Sequence, residues 1–209
     1  CELLYGSYFF NGRSSALRFQ TAPEFQNYFV RTGSNTPRRE YSCFIKFTAL
    51  QLPGVAEQIL IDCGDWFQVS IATTRFIKFT SKANLGVGGS GTYSSTMPSG
   101  SYGQDVGAIS PGKEYTLYFG LHHADGSSPF LTIRLDEGTT RGYTKWWPFH
   151  VATYLSPELD FGNLPKFYIG AEADETANTN LGAGIQQLGF YKDWLQDDIG
   201  VTKDCILYL

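Results

Sequence analysis

Apolar and polar positions alternate with a period of two along most of this chain. The alternating stretches are bounded by Gly, Pro, Asn, Asp and Ser, the pattern of half-buried strands punctuated by turns. In residues 41–50, Cys43, Ile45, Phe47 and Ala49 share one face and Ser42, Lys46 and Thr48 the other. After Leu52-Pro53-Gly54, residues 58–63 place Ile59, Ile61 and Cys63 on one face. Turning about Pro53-Gly54 sets Cys43 opposite Cys63, Ile45 opposite Ile61 and Phe47 opposite Ile59. The pattern therefore predicts an antiparallel hairpin with both apolar faces inward. Phe67, Val69 and Ile71 alternate next, followed by a turn at Thr73-Thr74 and a strand over 75–80. Tyr115, Leu117, Phe119 and Leu121 line a strand ending at His122-His123, and Leu131, Ile133 and Leu135 line the strand that returns from it. Residues 166–170, 184–191 and 205–209 complete the strands, and 193–199 can form one helical turn at most. Many strands sharing one core predict an all-β fold of two antiparallel sheets, a β-sandwich.

Two stretches break the rhythm. Residues 84–112 are rich in Gly, Ser and Tyr, and residues 138–165 carry Lys145-Trp146-Trp147-Pro148-Phe149-His150. Loops beyond ~12–15 residues are uncommon in compact domains and tend to be functional or disordered. Strands on both sides of each are needed for the same core, so residues 1–209 are expected to form a single domain with two long excursions.

Composition agrees with sheet. Aromatic residues make up 16% and include 16 Phe, 13 Tyr and 4 Trp, alongside 23 Gly, a mixture of strand and turn formers. With 16 basic and 20 acidic residues and a net charge of −4, the chain has no basic cluster to collect phosphates, which argues against nucleic acid as a partner. No apolar run approaches the ~20 residues of a membrane span, and no secretory leader pattern or Asn-x-Ser/Thr sequon is present. The four cysteines allow three pairings. Directly opposed strand positions sit ~4.5–5.5 Å apart, wider than the ~3.8 Å a disulfide prefers, so Cys43 and Cys63 are expected to be two buried thiols.

Several of these segments resemble the laminin-G-like, concanavalin-A-like jelly rolls. Phe10-Asn11-Gly12 followed by Ala16-Leu17-Arg18-Phe19 is similar to that family's opening strand. Residues 41–50 with 58–64, Ser110-Pro111-Gly112-Lys113-Glu114-Tyr115, and Tyr168-Ile169-Gly170 with Leu181-Gly182-Ala183-Gly184-Ile185 follow in the family's order. Leu17–Phe19, Tyr28-Phe29-Val30-Arg31-Thr32 and Arg38-Arg39-Glu40-Tyr41 resemble versions found in bacteriophage structural proteins. Phe44 and Phe47 stand where the family usually has a tryptophan. The resemblance implies a two-sheet antiparallel jelly-roll sandwich whose first and last strands are adjacent, bringing Cys1 towards Cys205.

Glycosidases of that fold set an acid and a nucleophile ~5–5.5 Å apart about one bond. Glu172-Ala173-Asp174-Glu175 invites the comparison, but strand alternation puts Glu175 on the wrong face, and the surrounding Gly, Thr and Asn read as a solvated acidic loop. Asp174, Glu175, Asn178 and Asn180 could offer oxygens to calcium, the one cofactor for which the sequence holds a candidate site. His122 and His123 are adjacent on a strand and point apart, so they cannot chelate zinc together. No serine sits in a nucleophile turn, and no glycine loop leads into a helix that could hold phosphate. The chain is therefore not expected to be an enzyme.

Trp146, Trp147 and Phe149, with Tyr93 and Tyr102 of the Gly/Ser-rich stretch, are the candidates for recognition, because indole and phenol rings stack on sugars and anchor protein interfaces. The expectation is a non-catalytic structural or adhesion protein of a virion, a capsid decoration or a tail or fibre component. It would form a homo-oligomer and contact neighbouring subunits or a host-surface glycan. The alternative is a carbohydrate-binding, lectin-like module at a cell surface or outside the cell. A polysaccharide-degrading enzyme is supported by fold analogy alone.

Overall fold

The alternation over residues 41–50 is realised as a nine-residue strand in a computed structural model. It describes residues 2–4, 7–14, 16–19, 41–62, 67–81, 93–96, 108–122, 130–140, 142, 145–148, 167–171, 179–191 and 205–208. The described residues form strands β1 (Glu2–Leu4), β2 (Ser7–Asn11), β3 (Leu17–Phe19), β4 (Tyr41–Ala49), β5 (Gln58–Asp62), β6 (Phe67–Ile71) and β7 (Ile77–Ser81). They continue with β8 (Tyr93–Thr96), β9 (Glu114–His122), β10 (Phe130–Glu137), β11 (Lys145–Pro148), β12 (Phe167–Ile169), β13 (Gly182–Tyr191) and β14 (Cys205–Tyr208). No helix occurs among them, and none long and apolar enough to cross a membrane.

All pairings are antiparallel and build two sheets. The larger runs β1-β2-β13-β4-β9-β10-β11, with β14 also on β13; the smaller runs β3-β12-β5-β6-β7-β8. Cys43, Ile45, Phe47, Tyr115, Leu117, Ile133, Ile185 and Leu188 from the first pack in one core with Leu60, Ile61, Val69, Ile71, Ile77 and Ile169 from the second. This is the all-β sandwich the alternation predicts, each sheet burying one face.

The sheet orders also show how the layers are joined. Read from one side, β2, β13 and β4 occupy the first places of the larger sheet beyond β1, and β3, β12 and β5 those of the smaller. Each facing couple is consecutive in sequence, so the three links β2–β3, β4–β5 and β12–β13 all pass between the sheets at the same end. The backbone there is tightly bonded: Gly12 N donates to Leu181 O, Leu50 N and Gln51 N both donate to Gly182 O, and Gly112 N donates to Ala49 O at 2.7 Å. At the opposite end, strand ends are joined by residues 20–40, 63–66, 82–92, 123–129, 149–166 and 192–204, which lie outside the described residues.

Three expectations are corrected. Residues 41–49 and 58–62 do not form a hairpin: β4 pairs with β13 and β9, and β5 with β12 and β6. Their apolar faces do meet, but across the core through side chains, because the residues after Ala49 bond to Gly182 and leave the sheet. The two excursions are not wholly loop, since they contain β8, paired with β7, and β11, paired with β10. The first and last strands do not pair with one another; β2 and β14 lie end to end along one edge of β13, with β1 outside β2. Cys1 lies outside the described residues, while Cys205 pairs in register with Tyr191 at the far end of β13 from Gly184, the partner of Phe9. Cys43 is buried, its thiol directed at the Phe44 carbonyl at 3.6 Å, and Cys63 lies outside the described residues.

Candidate ligand-binding face

Directly opposed residues of an antiparallel pair share a face, so the registers can be followed across a whole sheet. Across the smaller sheet they connect Arg18, Tyr168, Asp62, Gln68, Thr80 and Ser94, one residue from each of its six strands. This row lies on the outer face, because Ile61, Val69 and Ile169, its neighbours along the strands, belong to the core. Every member is a hydrogen-bonding residue. A parallel row carries Ser70, Lys78 and Thr96.

The row is graded from covered to open. Asp62 is fully buried at 0% exposure, and Tyr168, Gln68, Thr80 and Ser70 are buried too, although none lies in the sandwich core. Gln68 Nε2 donates to Asp62 Oδ2 at 3.4 Å, and the Arg18 guanidinium stands 5.8 Å from the centre of the Tyr168 ring. At the margin nearer the crossovers, Ser70 Oγ donates to Glu57 Oε2 at 2.7 Å and Lys78 Nζ to Glu57 Oε1 at 3.0 Å. The Lys78 and Glu57 side chains are 26% and 25% exposed. Buried polar groups are tolerated when bonded, and groups fixed from below present their remaining donors and acceptors in a set geometry.

The outer face of the larger sheet is built differently. Phe44 is in register with Tyr118 and Tyr118 with Arg134. The rings of Phe44 and Tyr118 lie 6.2 Å apart, the Arg134 guanidinium sits 4.0 Å above the Tyr118 ring, and Arg134 Nε meets Asp136 Oδ1 at 3.2 Å. Asp136 Oδ1 also accepts the Gly142 N–H at 2.8 Å. A charge stacked on aromatics and anchored to a carboxylate is a stabilising arrangement.

The residues singled out from sequence fall in different places. Trp146 and Trp147 lie on β11, at the outer edge of the larger sheet, in register with Thr132 and Leu131. Tyr93 lies on β8, at the outer edge of the smaller sheet, in register with Ser81. The two sheet orders put β8 and β11 on the same side of the sandwich. Phe149, Tyr102, Asp174, Glu175 and Asn178 lie outside the described residues, as does Glu172. Asn180 donates its Nδ2 to the Arg13 carbonyl. Among the described residues no three His, Cys, Asp or Glu side chains converge as metal ligands.

Sequence reasoning missed Glu57, Asp62, Gln68, Lys78 and Tyr168. The signal available was the polar half of each alternating strand. In 67–71 and 77–81 that half is Gln68, Ser70, Lys78 and Thr80, which reads as ordinary solvent-facing surface until the strands are placed side by side.

Neither a family model nor a curated protein matches the chain. Solved structures do. The K499G mutant of the NanB sialidase from Streptococcus pneumoniae matches with a TM-score of 0.58 at 15% identity, over 92% of this chain and 26% of that one. A tailspike protein from an Escherichia coli bacteriophage matches at 0.53 and 8% identity, over 90% of this chain and 23% of that one. A putative carbohydrate binding protein from Bacteroides ovatus matches at 0.53 and 9% identity, over 96% of this chain and 50% of that one. The chain thus spans a quarter to a half of the length of these proteins, and at such identities the likeness shows a shared β-sandwich fold.

Proposed function

We propose that the chain is a non-catalytic, carbohydrate-binding β-sandwich module serving adhesion, and that it binds sugar on the outer face of its smaller sheet. The partly exposed Glu57–Lys78 margin, fixed beside the buried polar row, carries this reading: sugar hydroxyls are recognised by convergent polar side chains held on a rigid scaffold. Glu57 is tied to both Ser70 and Lys78, which suits a fixed recognition group. The structural neighbours, a sialidase, a putative carbohydrate binding protein and a phage tailspike, support a glycan-related role within a larger assembly. The three crossovers gathered at one end support the laminin-G-like jelly-roll relationship.

The finer setting we infer is a virion surface, where the module meets a host glycan and neighbouring copies contribute to assembly. The placement of Tyr93 on β8 and Trp146-Trp147 on β11, both edge strands on one side, favours that side as the assembly contact. Calcium has no part in this reading, so chelation is expected to leave binding unchanged.

Screening purified protein on an oligosaccharide array, followed by titration calorimetry of the best ligands, tests the proposal. Saturable binding with no release of reducing sugar is the expected result. Absence of binding at millimolar ligand, or cleavage of a bound polysaccharide, overturns it.

A further inference from the structure

The geometry points to Glu57, Lys78 and Ser70 as a subsite for the vicinal hydroxyls of a neutral sugar, an inference that rests on the glycan-binding reading of this face. The two charged side chains differ from the two other lysine ion pairs described. Lys46–Glu114 and Lys113–Glu137 are surface pairs with at least one partner more than 40% exposed. Glu57 and Lys78 are each about three-quarters buried, and Ser70, at 1% exposure, fixes the carboxylate from beneath.

Valence then decides what the pair can accept. A carboxylate has about four lone-pair directions and an ammonium three protons. Glu57 uses one direction on each oxygen, for Ser70 and Lys78, and Lys78 uses one proton for Glu57. An acceptor and a donor therefore remain side by side, within one hydrogen-bond length of each other. Two adjacent sugar hydroxyls match this arrangement: one donates to Glu57 while its neighbour accepts from Lys78, and both bonds are charge-assisted.

Charge selects against acidic sugars. The outer face carries Glu57 and Asp62 against Lys78 and Arg18, so its described charges cancel and provide no net attraction for an anion. A sugar carboxylate placed at the subsite would meet Glu57, and Lys78 is already engaged by that same group. Desolvating two like charges against one shared cation is unfavourable. The ligand class is thus a neutral hexose with an unsubstituted vicinal diol, unlike the sialic acid chemistry named for some of the structural neighbours.

The test compares neutral oligosaccharides (lactose, maltose and mannose series) with sialyllactose, using wild type, Glu57→Gln, Lys78→Met and Lys78→Arg. Melting curves confirm that each variant is folded. The expected result is binding of at least one neutral series, little dependence on salt, and about ten-fold or greater weakening in Glu57→Gln and Lys78→Met. Lys78→Arg, which keeps charge and donors, should retain more affinity than Lys78→Met. Neutral binding that survives both Glu57→Gln and Lys78→Met overturns the subsite while leaving the glycan-binding reading in place. Preference for sialyllactose overturns it too. No binding by the wild type to any sugar removes the glycan-binding reading itself, and the subsite with it.

Discussion

The two sheets bury the same kind of inner face and present opposite kinds of outer face. On the larger sheet, Phe44, Tyr118 and Arg134 stack and Asp136 closes the stack with an ion pair. On the smaller sheet, six strands each contribute one hydrogen-bonding residue to a single row, from Arg18 to Ser94. A stack of this kind pairs a guanidinium with an aromatic ring and a carboxylate. Beside the buried row, the partly exposed Glu57–Lys78 pair is held in a fixed geometry. On the proposed function, outward positions in one sandwich serve stability on one side and recognition on the other, with no change in backbone architecture.

The contrast can be broken by mutation. Arg134→Ala removes a guanidinium from Tyr118 and leaves the largely buried Asp136 carboxylate without its cation. Destabilisation of about 3 kcal/mol is expected, with a fall in melting temperature of roughly 6–12 °C and unchanged sugar binding below the transition. Loss of sugar binding with unaltered stability would reverse the roles assigned to the two faces.

Asp62→Ala is expected to have a smaller effect on stability and a larger one on recognition. It removes a fully buried acceptor from Gln68 and disturbs the centre of the row, for about 2 kcal/mol. Weakened sugar binding should accompany that loss, and calorimetry on the variant at low temperature separates the two effects. Binding equal to wild type would confine the recognition surface to the Glu57–Lys78 margin.

Lys113 provides the smallest effect and belongs to neither face. Its hydrogen bond and ion pair with Glu137 hold its pKa above the ordinary value of 10.5. A raised value means that the contribution is complete below the unfolded-state pKa and disappears as pH rises through the folded one. Lys113→Met should therefore melt slightly below wild type at neutral pH, and the gap should close in alkali beyond about pH 10.5. A gap that widens with pH would contradict the sign.

The strands were legible because alternation is local. Residues 41–49, 67–71 and 114–122 can each be read without knowing their neighbours. Pairing was not legible for the same reason. Ile45 and Phe47 need apolar partners such as Ile61 equally whether the contact is made within one sheet or across the core, and parity cannot distinguish the two. Only the bonds of Leu50 and Gln51 to Gly182, a residue far along the chain, send β5 to the other sheet. The candidate face was hidden more deeply. Tyr168, Asp62 and Arg18 become neighbours only after β12 inserts between β3 and β5, so no spacing in sequence announces them. The edge strand β11 was missed because Lys145–Pro148 is short and its two tryptophans do not alternate with polar residues.

The place of β13 has a consequence for how the molecule assembles. The smaller sheet contains a meander, β5-β6-β7-β8, whose neighbours follow one another in sequence and can pair as soon as they are made. The larger sheet has no such shortcut at its centre, because β13 separates β2 from β4 and accepts hydrogen bonds from both. Until residues 182–191 emerge from the ribosome, each of those two strands has an edge awaiting a partner that does not yet exist. Non-local pairing of this kind slows folding, and waiting edges invite pairing with other chains. A nascent chain halted before residue 182 should therefore be an aggregation-prone species that depends on chaperones, although the meander within it can already be formed.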